Sequence, residues 1–333
     1  MDNAEAERVF TPAAVEALKA FPVEPEALEL VALSENVTFR VTDRQDGAAY
    51  VLRLHRPGYH SPEELESERV WTRALAEAGV AVPIPLATRA GSDYVGVHVE
   101  ALGQQRQAGM SRWIEGELLA DLLERSDDAA SPERCFEQLG AIEAAMHNQA
   151  SGWRPPPGFV RHAVDRDGLM GDAPFWGPFW DHPVFSPAER RLVIETRDRI
   201  RGVMDRLGRD PSIFGMIHAD LHDGNLLADG ERLTVIDFDD CAFGWYAYDI
   251  AVALYHQQGS SRFDDLQRAF VRGYRTGREL GDDAVALIPM FLLVRGMAVI
   301  GWLHQRPEID ATRTIRNMKD RVCAQCEAFE PPH

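Results

Sequence analysis

Near the N-terminus, apolar and polar positions alternate in short runs. The segments 28-LELVAL-33, 37-VTFRVT-42 and 49-AYVLRL-54 are rich in β-branched and aromatic residues. Ser34-Glu35-Asn36 and Asp43-Arg44-Gln45-Asp46-Gly47 separate them, which predicts an antiparallel meander. Thr11-Pro12 predicts an N-cap and N1 proline for a short helix to about Ala20. Ser61-Pro62-Glu63-Glu64 predicts a capping box for a helix ending before Gly79, and 94-YVGVHVE-100 predicts a further strand. Beyond Met110 the period turns helical. Segments open near Glu117 and at Ser131-Pro132, with 135-CFEQLGAIEAAMH-147 apolar at helical spacing, and Ser186-Pro187-Ala188-Glu189 caps a helix to about Leu207. Short strands are expected at 213–217 and 233–238, then three or four helices. The pattern therefore predicts an α+β chain, with a mainly antiparallel β portion over residues 1–110 and a mainly helical one over 111–333.

The segment 151–185 stands apart, because six prolines and five glycines exclude regular helix there. Its aromatics, Trp153, Phe175, Trp176, Phe179 and Trp180, fit either a loop packed by its own side chains or a wall over a substrate pocket.

Composition narrows the function classes. A net charge of −18 over 333 residues repels a phosphate backbone, so nucleic-acid binding is disfavoured, and it suits a cationic or zwitterionic ligand. The chain shows no basic-then-apolar leader and no uninterrupted 18-residue apolar run, so a cytoplasmic protein without a membrane partner is expected. Four cysteines are too few for a disulfide framework, and the Cys323-x-x-Cys326 pair has no second pair to complete a metal site.

The chemistry concentrates in 217-IHADLHDGNLL-227. By itself this stretch leaves two readings open. His218, Asp220 and His222 alternate as the ligands of a metal-dependent hydrolase would. The alternative is phosphoryl transfer from ATP, which needs a carboxylate beside the attacking hydroxyl and oxygen ligands for Mg²⁺. The later cluster 235-VIDFDD-240 decides between them. Together, His218-x-Asp220-x4-Asn225 and Asp237-Phe238-Asp239 supply one carboxylate and two oxygen ligands in the pattern of a kinase catalytic loop and its metal-binding Asp.

The run HADLHDGNLL…LTVIDFDD…YDIA resembles the aminoglycoside phosphotransferase and choline kinase superfamily, whose bilobal fold is like that of protein kinases. Within it the chain looks closest to the branch of type II homoserine kinase and the stress-response Ser/Thr kinase. The resemblance implies Asp220 as the catalytic base, Asn225 and Asp237 as Mg²⁺ ligands, and His218 and Asp249 as supports of the catalytic loop. It places a phosphate-covering turn at Ser34 and Asn36, although the usual glycines are missing. Arg53 stands where the pattern has lysine, and Glu68 is the expected partner for it, with Glu66 as competitor on another helix face. Adenine is expected near 110-MSRWIEG-116. The acceptor, a small molecule with a hydroxyl, is expected near Trp176 and Trp180, with Asp239 close by. A protein Ser/Thr kinase, a nucleotide-binding pseudokinase motivated by Arg53, and the metallohydrolase are the alternatives.

Overall fold

The computed structural model describes residues 2–34, 36–125, 132–309 and 311–332, so Glu35 and Ser131 lie outside the described residues. Two compact units form. The first comprises Met1–Glu117, Pro155–Val160 and Leu227–Asp239, and the second comprises Leu118–Arg154, Arg161–Leu226 and Asp240–His333. The class is α+β, as the periodicity predicts.

The first unit opens with α1 (Asn3–Leu18), capped by Asp2 and not by Thr11, so Pro12 lies inside the helix. An interior proline costs roughly 3 kcal/mol. Burial outweighs it, because Ala6, Phe10, Ala13, Ala14, Ala17 and Leu18 join one core with the sheet, and each large side chain recovers about 1.5–3 kcal/mol. The strands β1 (Pro25–Leu33), β2 (Val37–Asp43) and β3 (Ala49–Leu54) form the expected meander. Strict alternation on β2 turns Val37, Phe39 and Val41 inward. On β3, Leu52 and Leu54 enter the core, which leaves Arg53 on the opposite face.

Helix α2 (Pro62–Glu77) carries the full Ser61–Glu64 capping box. It is followed by β4 (Pro85–Leu86), β5 (Tyr94–Val99) and β6 (Gln104–Arg112). The sequence pattern does not show β6, yet it pairs with β3, β4 and β5. Its polar Gln-Gln-Arg-Gln start conceals a buried strand, and Arg106 is accommodated with its guanidinium over the Phe10 ring at 4.8 Å. After β7 (Glu117–Leu118) the chain enters the second unit.

That unit contains α3 (Leu119–Arg125), α4 (Pro132–Gly152), β8 (Ala163–Val164), α5 (Arg166–Met170), α6 (Pro187–Leu207) and β9 (Phe214–Ile217). The strands β10 (Leu226–Asp229) and β11 (Arg232–Val235) then form a hairpin, and Val235 N–H donates to Ala81 O at 2.9 Å within the first unit. The second unit resumes with β12 (Ala242–Trp245), α7 (Tyr246–Tyr255), α8 (Phe263–Gly277), α9 (Asp282–Ala286), α10 (Ile288–His304) and α11 (Thr312–Ala328).

Helices α4 and α8 cross in near backbone contact. A Cβ at Gly140 would meet Phe270 O at 2.1 Å, and one at Gly273 would meet Glu137 O at 1.7 Å, so only glycine permits this approach. The run Asp282–His304 is long and apolar enough to span a membrane by composition, but 67% of its most apolar window is buried inside the protein. Its main part, α10, is a core helix, and the one guanidinium in it, Arg295, matters below. The aromatic segment also packs inward. Trp176 and Phe179 are buried, Trp176 faces Tyr248 with ring centroids 6.5 Å apart, and the Trp180 ring lies under Arg197 at 4.4 Å. All four cysteines are free and buried.

Candidate active site

In the second unit, β9 delivers the chain into His218-Ala219-Asp220, and a single 3-10 turn at Asp223–Asn225 follows. Ala219 adopts φ 65°, a left-handed conformation that costs a non-glycine residue roughly 1–2 kcal/mol. Asp249, fully buried in the first turn of α7, holds this backbone. Its Oδ2 accepts His218 N–H at 3.0 Å and its Oδ1 accepts Ala219 N–H at 2.7 Å. Behind it, His147 Nε2 lies 3.2 Å from Asp249 Oδ2, and His147 Nδ1 lies 2.8 Å from Tyr274 OH. Burial lowers the His147 pKa against the pull of Asp249, so its neutral Nε2–H tautomer donates to the carboxylate and its Nδ1 accepts from the tyrosine. His218 is itself buried, and its Nδ1 accepts Asp220 N–H at 3.3 Å.

The Asp220 carboxylate is held at both oxygens. Arg295 Nη2 on α10 donates to Oδ1, and Asn225 Nδ2 donates to Oδ2 at 3.2 Å and to Asp220 O at 2.8 Å. Because the Asn225 amide nitrogen is committed to Asp220, its Oδ1 is the atom left to coordinate a cation. Burial works to lower the Arg295 pKa, but Asp220, Tyr248 and Asp240 outweigh it, so the guanidinium stays charged. Sequence reasoning missed Arg295 and His147. The signal was present in both cases. A lone arginine within the apolar 288-IPMFLLVRGMAVI-300, or a histidine ending an apolar helical run, needs a buried partner.

In the first unit, Arg53 Nη1 donates to Asp237 Oδ1 at 2.8 Å. The expected Arg53–Glu68 pair is not formed. Glu68 is buried nearby, and its Oε2 has no hydrogen-bond partner among the described residues. Burial works to lower the Arg53 pKa, and Asp237, Asp239 and Glu68 more than reverse it. Asp237 has φ 64°, the second left-handed non-glycine residue among those described. Asp239 lies 3.5 Å from His55 Nδ1 and accepts from Asn36 Nδ2 at 3.3 Å. Burial would push its carboxyl up, but His55 and Arg53 hold it well below the usual carboxylate range. Asn36 Oδ1 accepts Arg56 N–H at 2.9 Å, so this side chain braces the strand ends. Ser34 N–H donates to Asn36 O at 3.1 Å, and Trp113 lies beneath Arg40 at 5.1 Å.

The triad His218, Asp220 and His222 does not form a metal cage among the described residues, because His222 groups with Asp223 and His256.

One buried acid shows how tightly this scaffold is drawn. Glu143 on α4 is fully buried, and both its carboxyl oxygens lack hydrogen-bond partners among the described residues. Burial first, then Asp249, raises its pKa well above 4.5, so folding takes up a proton there. Stability from this group is complete below its unfolded value and falls as pH rises towards the folded one, by up to about 1.4 kcal/mol per pH unit. Glu143→Gln is therefore expected to flatten this loss between pH 5 and pH 8. Thermal midpoints across that range check it, and an unchanged slope refutes the assignment.

Residues 27–284 match the model of the phosphotransferase enzyme family. Amicoumacin kinase of Bacillus subtilis (strain 168) is 25% identical over 300 residues, covering 87% of this chain and 83% of that protein. The microcompartment-associated aminopropanol kinase superposes with a TM-score of 0.80 at 31% identity, covering 95% of each chain. The amicoumacin kinase hAmiN, solved with AMP-PNP, Ca²⁺ and Ami, superposes with a TM-score of 0.78 at 23% identity, covering 99% of this chain and 97% of that one. The family match includes Arg53, Asp220, Asn225 and Asp237. The α+β fold is the kinase-like fold of these enzymes, and the chain belongs to the phosphotransferase enzyme family.

Proposed function

We propose that the protein transfers the γ-phosphoryl group of ATP, with Mg²⁺, to a hydroxyl of a small, amine-bearing molecule. The observation that carries this reading is the Asp220 carboxylate, fixed by Arg295 and Asn225 on a loop whose left-handed turn is tied to Asp249. Such a carboxylate is aimed and immobile, as proton acceptance from an acceptor hydroxyl requires. The donor set suits magnesium. Asn225 Oδ1 and the Asp237 carboxylate offer hard oxygens, and the Asp237 side chain is 40% exposed. The orphaned Glu68 Oε2 fits the same reading, because Arg53 has a second carboxylate waiting once Asp237 turns to a cation.

In this mechanism Asp220 orients the acceptor hydroxyl and takes its proton as the oxygen bonds to phosphorus in line with the leaving ADP oxygen. Mg²⁺ on the oxygens of Asn225 and Asp237 would neutralise phosphate charge. Arg53, released from Asp237, holds phosphate oxygens, and Arg295 fixes the direction of the Asp220 carboxylate. The amine preference is supported by the similarity to aminopropanol kinase and by the net charge of −18.

Purified protein with γ-labelled ATP and Mg²⁺, offered amino alcohols, homoserine, aminocyclitols and Ser/Thr peptides, tests the proposal. Label is expected on an amine-bearing small molecule. Transfer to peptide alone, or nucleotide binding with no transfer to any acceptor, refutes it. A variant test is equally direct. Arg53→Met is expected to raise the KM for ATP about tenfold or more, the equivalent of one charge-assisted hydrogen bond, whereas Arg53→Lys retains most of the affinity. Equal KM values for the two variants would remove Arg53 from phosphate binding.

A further inference from the structure

The phosphoryl-transfer reading leaves part of the catalytic loop unused. His222 and Asp223 lie between Asp220 and Asn225 in sequence, and neither has a role in that chemistry. Both turn towards His256, the residue that ends α7. Asp223 Oδ1 is 3.6 Å from His222 Nδ1 and 3.9 Å from His256 Nδ1, and the three ligand atoms all lie within 4.8 Å of one another. A tetrahedral cation with bonds of about 2.0–2.1 Å separates its ligand atoms by roughly 3.3 Å, so the two histidine–aspartate pairs close by about 0.3 and 0.6 Å on binding and the histidine–histidine pair by up to about 1.5 Å, within reach of side-chain rotation.

Local details fit ligation better than a chance meeting of polar groups. Gln257 Nε2 donates to Asp223 Oδ2 at 3.1 Å, which orients the carboxylate as an outer partner of a metal ligand does. Gly224 N–H donates to His222 Nδ1 at 3.0 Å, so that nitrogen presents the lone pair that a metal would take. A Cβ at position 224 would lie 2.7 Å from His222 Cε1, so glycine there is what lets the imidazole fold over the turn.

A cavity of about 490 Å³ reaches the cluster, lined also by Leu123 and Glu124 of α3 and Phe136 of α4. It leaves room for a fourth ligand, such as water. Two imidazole nitrogens and one carboxylate are a borderline donor set, suited to zinc and unlike the all-oxygen pair Asn225 and Asp237.

We propose that His222, Asp223 and His256 form a zinc-class cation site whose occupancy slows phosphoryl transfer. The inhibitory half of the proposal rests on the proposed reaction, whereas the binding half does not. A cation at this site takes the His222 lone pair now held by Gly224 N–H. It thereby pulls on the turn that presents Asn225, while His222 Nε2 lies 3.5 Å from Asn225 Nδ2 and 3.8 Å from Asp220 Oδ2.

Full-length protein, stripped of metal, is titrated with Zn²⁺ against a chromophoric chelator, and with Co²⁺ to read the visible bands of tetrahedral coordination. One equivalent per chain is expected. His256→Ala, which alters a half-exposed residue outside the reacting groups, is expected to weaken zinc by at least about tenfold, and Asp223→Asn to do likewise. In chelated buffer His256→Ala is expected to transfer phosphate at the native rate and, unlike the native protein, to resist added Zn²⁺. No uptake by the native protein, or unchanged affinity in both variants, overturns the site. Stoichiometric uptake without inhibition overturns the coupling. Uptake in a protein that phosphorylates no acceptor overturns the proposed reaction and leaves the binding site standing.

Discussion

Asp220→Asn is expected to lower kcat for phosphoryl transfer by about 10²–10⁴-fold, the range over which a positioned proton acceptor contributes. The substitution keeps the shape of the side chain and one oxygen for Arg295, so the fold and ATP affinity should persist. What it removes is the negative charge. An amide oxygen neither accepts the hydroxyl proton at neutral pH nor balances the buried guanidinium of Arg295. Single-turnover transfer to the acceptor found in the screen measures the first effect, and a thermal midpoint close to native shows that the loss is chemical. If the variant retained more than about a tenth of native kcat, the carboxylate would only be orienting the substrate and the base assignment would fail. Asp220→Ala makes a useful contrast. It leaves Arg295 without its main partner in a dry setting, so a fall in stability should accompany the fall in rate.

Much of this site is legible in the residue order because its signals are local. The capping boxes at Ser61 and Ser186 use residues three apart, and both form. The alternation in 37-VTFRVT-42 needs only one buried face, and the strand follows it. The His218–Asn225 spacing is likewise contained in one eight-residue stretch of the chain.

What could not be read depends on partners distant in sequence. Pro12 signals a helix start, but the core formed with β2 and β5 favours continuing the helix through it. Strand β6 looks polar, yet pairing on both sides holds it in the sheet. Arg53 was matched with Glu68 by analogy, whereas the structure gives it Asp237, 184 residues away. Arg295 reaches Asp220 from 75 residues further along the chain, and no spacing rule connects them. Local chemistry thus singled out the candidate residues, and long-range packing decided which charges hold them.

The same division predicts the largest structural effect of a single substitution. Asp249 makes no contact with a reacting atom, but Asp249→Ala would leave the N–H groups of His218 and Ala219 and the Nε2–H of His147 without acceptors in a fully buried setting. Each orphaned buried donor costs about 1–3 kcal/mol, and the left-handed Ala219 loses the bond that offsets its strain. Some of this is recovered by local collapse, so a net loss of about 3–5 kcal/mol is expected, as for breaking other buried charged networks. That corresponds to a thermal midpoint lower by roughly 10 °C in a chain of this size. Activity should fall further than the folded fraction does, because a relaxed Ala219 rotates the next residue, Asp220, out of line. Asp249→Asn separates the two effects. It can accept at only one position, so it should regain part of the stability while kcat stays well below native and the KM for ATP changes little. Differential scanning calorimetry and kcat measured well below both midpoints give the comparison. If Asp249→Asn recovered native kcat together with native stability, the carboxylate would be one polar anchor among many, and the link from α7 through the left-handed turn to Asp220 would not hold.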